Sequence, residues 1–272
     1  MKFICPLCQS SLSLSENNKT LGCLNNHQFD RAKQGYYNLL PVQHKKSKQP
    51  GDSKEMIAAR HDFLNADHYQ PLAAKLAQVI TQHLPSDGVL LDLGCGEGYY
   101  TRQLQSLIPG LISYGMDISK PAVVKAAAQD KQAHYMVASS DSIPLADSVL
   151  DAVLKVYAPA NDSELSRVLN EQGVIISVMP GPRHLWQIRE FIYDDVRAHD
   201  TQDTQFSGFS LASNQQFSFT ICPNDLHRSA LLQMTPFAWK ANEQQTSAIE
   251  NAQGLTIELD FVINCYRRQI ET

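Results

Sequence analysis

Five short apolar runs, at residues 89–93, 111–116, 135–138, 149–156 and 174–178, constrain the fold more than any other feature of this chain. The stretches between them carry helical patterning, as at 121–130 and 163–170. Strands that are apolar on both faces and separated by helices pack as a parallel sheet covered on both sides. The pattern changes after Val178. Residues 217–221 and 255–266 read as strands, the second beginning with the apolar–polar alternation of an edge or antiparallel strand, while 224–234 and 243–253 read as helices. Ahead of the first run, Asp52 and Glu55 have capping-box spacing and predict a helix to about Phe63. A second helix is predicted over 70–84, with Leu72, Leu76, Val79, Ile80 and His83 on one face.

The first 30 residues follow a different logic. Cys5-Pro6-Leu7-Cys8 and Cys23-Leu24-Asn25-Asn26-His27 form a C-x2-C-x14-C-x3-H pattern. Two tight turns joined by a hairpin can bring Cys5, Cys8, Cys23 and His27 to one tetrahedral zinc. Three thiolates and an imidazole leave no open position for water, which points to a structural ion. So short a segment buries too little surface to fold alone, so zinc would supply its folding energy, while the region beyond residue 85 has its own sheet. Unligated thiols are the competing reading. Cys222 and Cys265 have no such spacing and are expected as buried apolar residues.

Charge is also uneven along the chain. Residues 1–60 hold 9 of the 23 Lys and Arg but 4 of the 28 Asp and Glu, so a basic front end precedes an acidic body. Lys45, Lys46 and Lys48, in a polar stretch ending at Pro50-Gly51, are candidates for phosphate contact, against the plain reading of a solvated linker. Tyr36, Tyr37, Trp186 and Trp239 are candidates for base stacking, against a place in the core. No run approaches 18 apolar residues, and the N-terminus lacks an apolar signal-peptide region. A membrane partner is therefore not expected, and the chain reads as cytoplasmic.

The chemistry-bearing stretch is Leu91-Asp92-Leu93-Gly94-Cys95-Gly96-Glu97-Gly98, where a strand gives way to a helix. The glycines let a ligand lie against backbone, and Asp117, closing the next strand, is placed to grip ribose hydroxyls. Asp92 and Glu97 would repel a pyrophosphate. An acidic rim suits a cationic ligand such as S-adenosylmethionine, which puts a NAD site and a purely structural turn behind it.

Residues 85–180 resemble a class I S-adenosylmethionine-dependent methyltransferase. Asp92 to Gly98 is similar to its first motif, Asp117 to its ribose-binding acid, and Ser139-Ser140-Asp141-Ser142-Ile143-Pro144-Leu145 to its third motif. Across nearly the whole chain the resemblance is to the bacterial 23S rRNA (guanine-N1)-methyltransferases. It is carried by the zinc pattern, Gln28-Phe29-Asp30, Gly35-Tyr36-Tyr37-Asn38-Leu39-Leu40-Pro41, Pro50-Gly51-Asp52, Arg60, Phe63-Leu64, His68-Tyr69, the glycine turn with Tyr99-Tyr100, Tyr157-Ala158-Pro159, Pro180-Gly181-Pro182-Arg183-His184-Leu185 and Met234-Thr235-Pro236-Phe237-Ala238-Trp239. That resemblance implies an α/β, Rossmann-like class I fold, a mostly parallel seven-stranded sheet with an antiparallel last strand, behind a small zinc ribbon. It implies a ribbon over 1–40, a basic linker over 41–54 and a methyltransferase domain over 55–272. The implied cofactors are S-adenosylmethionine and one structural zinc. Cofactor contacts would fall on Tyr69, Asp92, Gly94, Gly96, Glu97, Gly98, Asp117, Ser140 and His184. The implied partner is 23S rRNA, methylated at N1 of a hairpin-loop guanine, and a homodimer is allowed. No catalytic base is assigned. The alternative is a small-molecule methyltransferase, because the core alone resembles quinone- and sterol-methylating enzymes. A zinc-ribbon RNA-binding protein with an inactive nucleotide fold is the third reading, disfavoured by the intact glycine loop and Asp117.

Overall fold

The structure is a computed structural model and describes residues 2–44, 51–201 and 205–269. In chain order the N-terminal strands are β1 (Ser13–Leu14), β2 (Thr20–Gly22), β3 (Gln28–Asp30) and β4 (Tyr37–Asn38). Then come α1 (Lys54–Leu64), α2 (Gln70–Thr81), β5 (Val89–Leu93), α3 (Tyr99–Leu107), β6 (Ile112–Asp117), α4 (Lys120–Gln129) and β7 (His134–Val137). They are followed by β8 (Leu150–Val156), α5 (Asp162–Val168), β9 (Leu169–Pro180), α6 (Trp186–Ile192), β10 (Phe209–Ile221), α7 (Asp225–Gln233), α8 (Glu243–Asn251) and β11 (Ile257–Arg268).

β1, β2 and β3 form a small antiparallel sheet, and the other strands form one sheet in the order β10-β11-β9-β8-β5-β6-β7-β4. Strands β5 to β9 pair in parallel, while β11 runs antiparallel to both β9 and β10. Seven of these strands are the expected ones. The eighth is β4, whose Tyr37 and Asn38 pair in parallel with Met136 and Val137 at the sheet's free edge. The apolar runs face both ways as their composition requires. Leu90 packs with α1, α2 and α3 on one face, while the adjacent Leu91 packs with Phe3, Leu12 and Leu21 on the other.

The N-terminal unit is therefore not a free-standing appendage. Phe3 is buried between Tyr37 and Tyr114, with ring centroids 5.9 and 5.6 Å away. The Ile4 amide donates to the Pro144 carbonyl at 3.1 Å, and the Ala146 amide returns a bond to the Lys2 carbonyl at 2.9 Å. The sequence expectation of a ribbon beside a self-contained sheet understates this coupling.

Some local expectations are corrected. The first helix is capped by Ser53, whose hydroxyl accepts from the Met56 amide, and not by Asp52. Asp52 is left to pair with Arg60 at 2.9 Å, two turns along α1. Cys222 is exposed, because it follows the end of edge strand β10, whereas Cys265 is buried as expected. Lys45, Lys46 and Lys48 lie outside the described residues. No helix among the described residues is long and apolar enough to cross a membrane.

Candidate functional site

A cleft of about 330 Å³ opens at the carboxyl ends of β5, β6 and β8, where ligands bind in open parallel sheets. Its floor is the turn after β5. Gly94 and Gly96 have φ of +74° and +57°, a region that favours glycine. A Cβ on Gly94 would lie 2.5 Å from the Cβ of Ala158, so only glycine lets this backbone reach the cleft wall. The amides of Gly94 and Cys95 both donate to the Met116 carbonyl, at 2.8 and 3.0 Å, which ties the turn to β6.

Asp117 ends β6 and lines the cleft. One carboxylate oxygen accepts from the Gly96 amide at 2.9 Å and the other from the Ser119 amide at 2.7 Å. The side chain thus locks the glycine turn to the start of α4, and each oxygen keeps a lone pair for a ligand hydroxyl. Burial raises its pKa, partly opposed by these two amides. Ser140 also lines the cleft, as does Tyr157, which has φ +57° and is 45% exposed at its mouth.

The structure thus brings Gly94, Gly96, Asp117 and Ser140 together and places the other expected cofactor residues elsewhere. Asp92 is buried beneath the turn, where it accepts from the Thr101 hydroxyl at 2.5 Å. Glu97 is also buried and accepts from His61 at 2.9 Å and from Arg102 and Gln129 at 3.2 Å, bracing α1, α3 and α4. These two carboxylates are internal struts and do not form the acidic rim expected of them. The acids on the cleft are Asp117 and Asp52, with Arg60 beside them. Gly98 starts α3, where a Cβ would meet Tyr135 at 2.8 Å and Ala126 at 2.9 Å. Tyr69 is buried at the start of α2, edge-on to Phe63 and Phe261. His184 is buried behind Tyr157, their rings 6.1 Å apart, and its Nδ1 accepts from the Asp260 amide at 3.3 Å. Burial lowers its pKa to about 3, so it is neutral at physiological pH and keeps its proton on Nε2.

Asp92 makes a testable prediction. Burial pushes its carboxyl up to about 7 from an ordinary 3.8. Between those values the folded chain holds a proton that the unfolded chain has released, so this residue reduces stability as pH rises through that window. Asp92→Asn keeps an acceptor for Thr101 and removes the titration. Urea midpoints at a series of pH values should show a flatter profile than the wild type between about pH 4 and 7; an unchanged slope contradicts the assignment.

At the other end of the molecule, the ligand atoms of Cys5, Cys8, Cys23 and His27 lie within 4.8 Å of one another. Cys8 and Cys23 Sγ are 3.7 Å apart, and His27 Nδ1 is 3.4 and 3.5 Å from the sulfurs of Cys5 and Cys23. A zinc tetrahedron with bonds of about 2.3 Å to sulfur and about 2.05 Å to nitrogen has S···S edges near ~3.8 Å and S···N edges near ~3.6 Å. The donor set fits that ion in chemistry, and these three edges fit it in spacing. Hydrogen bonds from Ser10 hold the Cys8 thiol down to about 5, favouring the thiolate a metal requires.

Comparison with known proteins agrees with both regions. Residues 3–48 match the N-terminal zinc-ribbon domain of RlmA proteins, and residues 91–177 match a methyltransferase domain. A Bacillus subtilis protein, YxjB, assigned as a 23S rRNA (guanine-N1)-methyltransferase, is 28% identical over 96% of each chain. A Streptomyces fradiae 23S rRNA (guanine(748)-N1)-methyltransferase is 34% identical over 68% of this chain and 65% of its own. A Micromonospora griseorubida protein assigned the same guanine-N1 activity on 23S rRNA is 34% identical over 68% of this chain and 67% of its own. This chain belongs to that family. It carries an S-adenosylmethionine-dependent methyltransferase domain behind a zinc ribbon. Within the family's cleft, Asp52 and Arg60 are lining residues that the sequence marked only as part of the family resemblance, with no role assigned. Their approach to the glycine turn spans more than 30 positions of chain, and no local spacing signals it.

Proposed function

We propose that this protein transfers the methyl group of S-adenosylmethionine to N1 of a guanine in a hairpin loop of 23S rRNA. The reading divides the chain into a ribbon over 1–40, a basic linker over 41–54 and a catalytic domain over 55–272, acting in the cytoplasm and allowing a homodimer. The observation that carries it is the union of a methyltransferase cleft with a zinc ribbon in one packed unit, in a chain that aligns over 96% of its length with a protein assigned as a 23S rRNA (guanine-N1)-methyltransferase.

The residues suggest a division of tasks. Gly94 and Gly96 offer backbone, Asp117 takes the ribose hydroxyls and Ser140 faces the base. S-adenosylmethionine supplies an electrophilic methyl group on a sulfonium. Displacement at that carbon asks the protein chiefly to align donor and acceptor, and alignment alone is worth up to about 7–11 kcal/mol. A paired guanine hides N1, so the target is unpaired or flipped out. Tyr157 at the mouth offers a half-exposed ring to that base. His184, neutral and with Nδ1 committed to Asp260, suits a hydrogen-bond donor and not a proton acceptor. Of the aromatic residues considered for stacking, Tyr36 and Tyr37 are buried and Trp186 is bonded to Glu190 and covered by Arg183 and Arg189. Trp239 is 79% exposed and favoured for the flanking RNA. Lys45, Lys46 and Lys48 belong to the same reading as phosphate contacts.

The test is transfer of labelled methyl to total rRNA, with a small-molecule extract as control, followed by nucleoside analysis. Label in 1-methylguanine supports the reading. Label at N2 or N7 overturns the regiochemistry, and label confined to the small-molecule extract favours the alternative.

A further inference from the structure

Among the described residues that line the cleft, Arg60 carries the only positive charge. Its guanidinium is anchored but not saturated. One terminal nitrogen donates to Asp52 at 2.9 Å and, at 3.4 Å, to the Met234 carbonyl. Its Nε is buried and has no hydrogen-bond partner, while the side chain as a whole is about a third exposed. The Arg60 side chain also passes the glycine turn, its Cδ 3.9 Å from where a Gly96 Cβ would stand. Gly96 is the residue whose amide is bonded to Asp117. A ligand held by its ribose at Asp117, and lying along the turn, therefore meets Arg60 next.

We infer that Arg60 binds the α-carboxylate at the methionine end of the cofactor, with Asp52 holding the guanidinium in position. A guanidinium matches a carboxylate with two parallel N–H bonds, and Asp52 takes a bond from one terminal nitrogen only, leaving further donors on a side chain that is about a third exposed at the cleft. A carboxylate carries a full charge in every bound state, whereas the oxygen of a guanine base gains only part of one during reaction. The inference rests on the cofactor assignment and not on the RNA assignment.

Calorimetry on the full chain tests it without turnover. S-adenosylhomocysteine keeps the carboxylate, whereas 5′-methylthioadenosine lacks the whole amino-acid end. Arg60→Met should weaken S-adenosylhomocysteine roughly tenfold to a hundredfold and leave 5′-methylthioadenosine within about twofold. Arg60→Lys should recover part of the loss, because a point charge replaces a fork. Equal loss for both ligands would make Arg60 a structural brace, and no loss for either would remove it from the site; both results overturn the inference. Wild-type protein that binds neither ligand would instead overturn the cofactor assignment beneath it. Retained 5′-methylthioadenosine binding also shows that the variant is folded.

Discussion

Asp117→Ala should reduce affinity for S-adenosylhomocysteine by roughly two to four orders of magnitude. Two hydrogen bonds from ribose hydroxyls to an ionised carboxylate contribute about 1.5–3 kcal/mol each, and every 1.4 kcal/mol is about tenfold in Kd. The variant loses more than ligand contacts, because the Gly96 and Ser119 amides give up their acceptor. The glycine turn then has no strap to α4, and some of the lost affinity is lost preorganisation. Asp117→Asn separates the two effects. It keeps a carbonyl for one amide but has neither the charge nor the second acceptor, so its affinity should fall between wild type and the alanine variant. Calorimetry gives the affinities, and thermal melting checks that the fold survives. A change of less than threefold for the alanine variant would place the ribose elsewhere.

The glycine turn was legible because its requirement is local. Three glycines at every second position, after an apolar strand, declare a backbone that must bend through positive φ, and all three have it. The strand at 89–93 was legible for a similar reason, since an apolar run stopped by glycine can be read without its neighbours. Asp92 and Glu97 show where that reading fails. Charges inside a ligand-binding turn look directed at the ligand, but Thr101 and Arg102 on the following helix draw them inward. The packing of the surrounding helices, α3 for Asp92 and α1, α3 and α4 for Glu97, decides between those fates.

Edge strands were hidden by their composition. Only residues 217–221 of β10 show a strand signal, yet the strand begins at Phe209, because Leu211 to Gln216 are mostly polar. That half is held by pairing with the buried β11, and its outer edge faces solvent. β4 is two residues long and carries no periodicity at all. It exists because Tyr37 is buried beside Phe3 and the edge of β7 is free to accept it. Such elements are products of tertiary contact, and a single sequence offers no local sign of them.

The same contacts decide what loss of zinc should do. The metal ligands hold two turns, and the segment they organise presents Phe3, Leu12 and Leu21 to Leu91, Leu93 and Met116 of the main sheet. Removing the ion should therefore uncover part of the catalytic domain's own core, in contrast to the expectation from sequence that only the ribbon unfolds. Loss of the Phe3 side chain's packing alone would cost about 3–5 kcal/mol. At roughly 2–4 °C per kcal/mol for a chain of this size, the main melting transition should fall by about 6–20 °C. Calorimetry of the full chain with and without a chelator measures this, with metal analysis to count zinc before and after. Cys23→Ser should reproduce the shift without chelator, since it removes one of the four ligands. Phe3→Ala should lower the transition even with zinc bound, because it removes the contact and spares the metal. If chelated protein keeps its main transition unshifted and loses only a small early one, the ribbon folds apart from the sheet and the shared core contributes nothing to its stability.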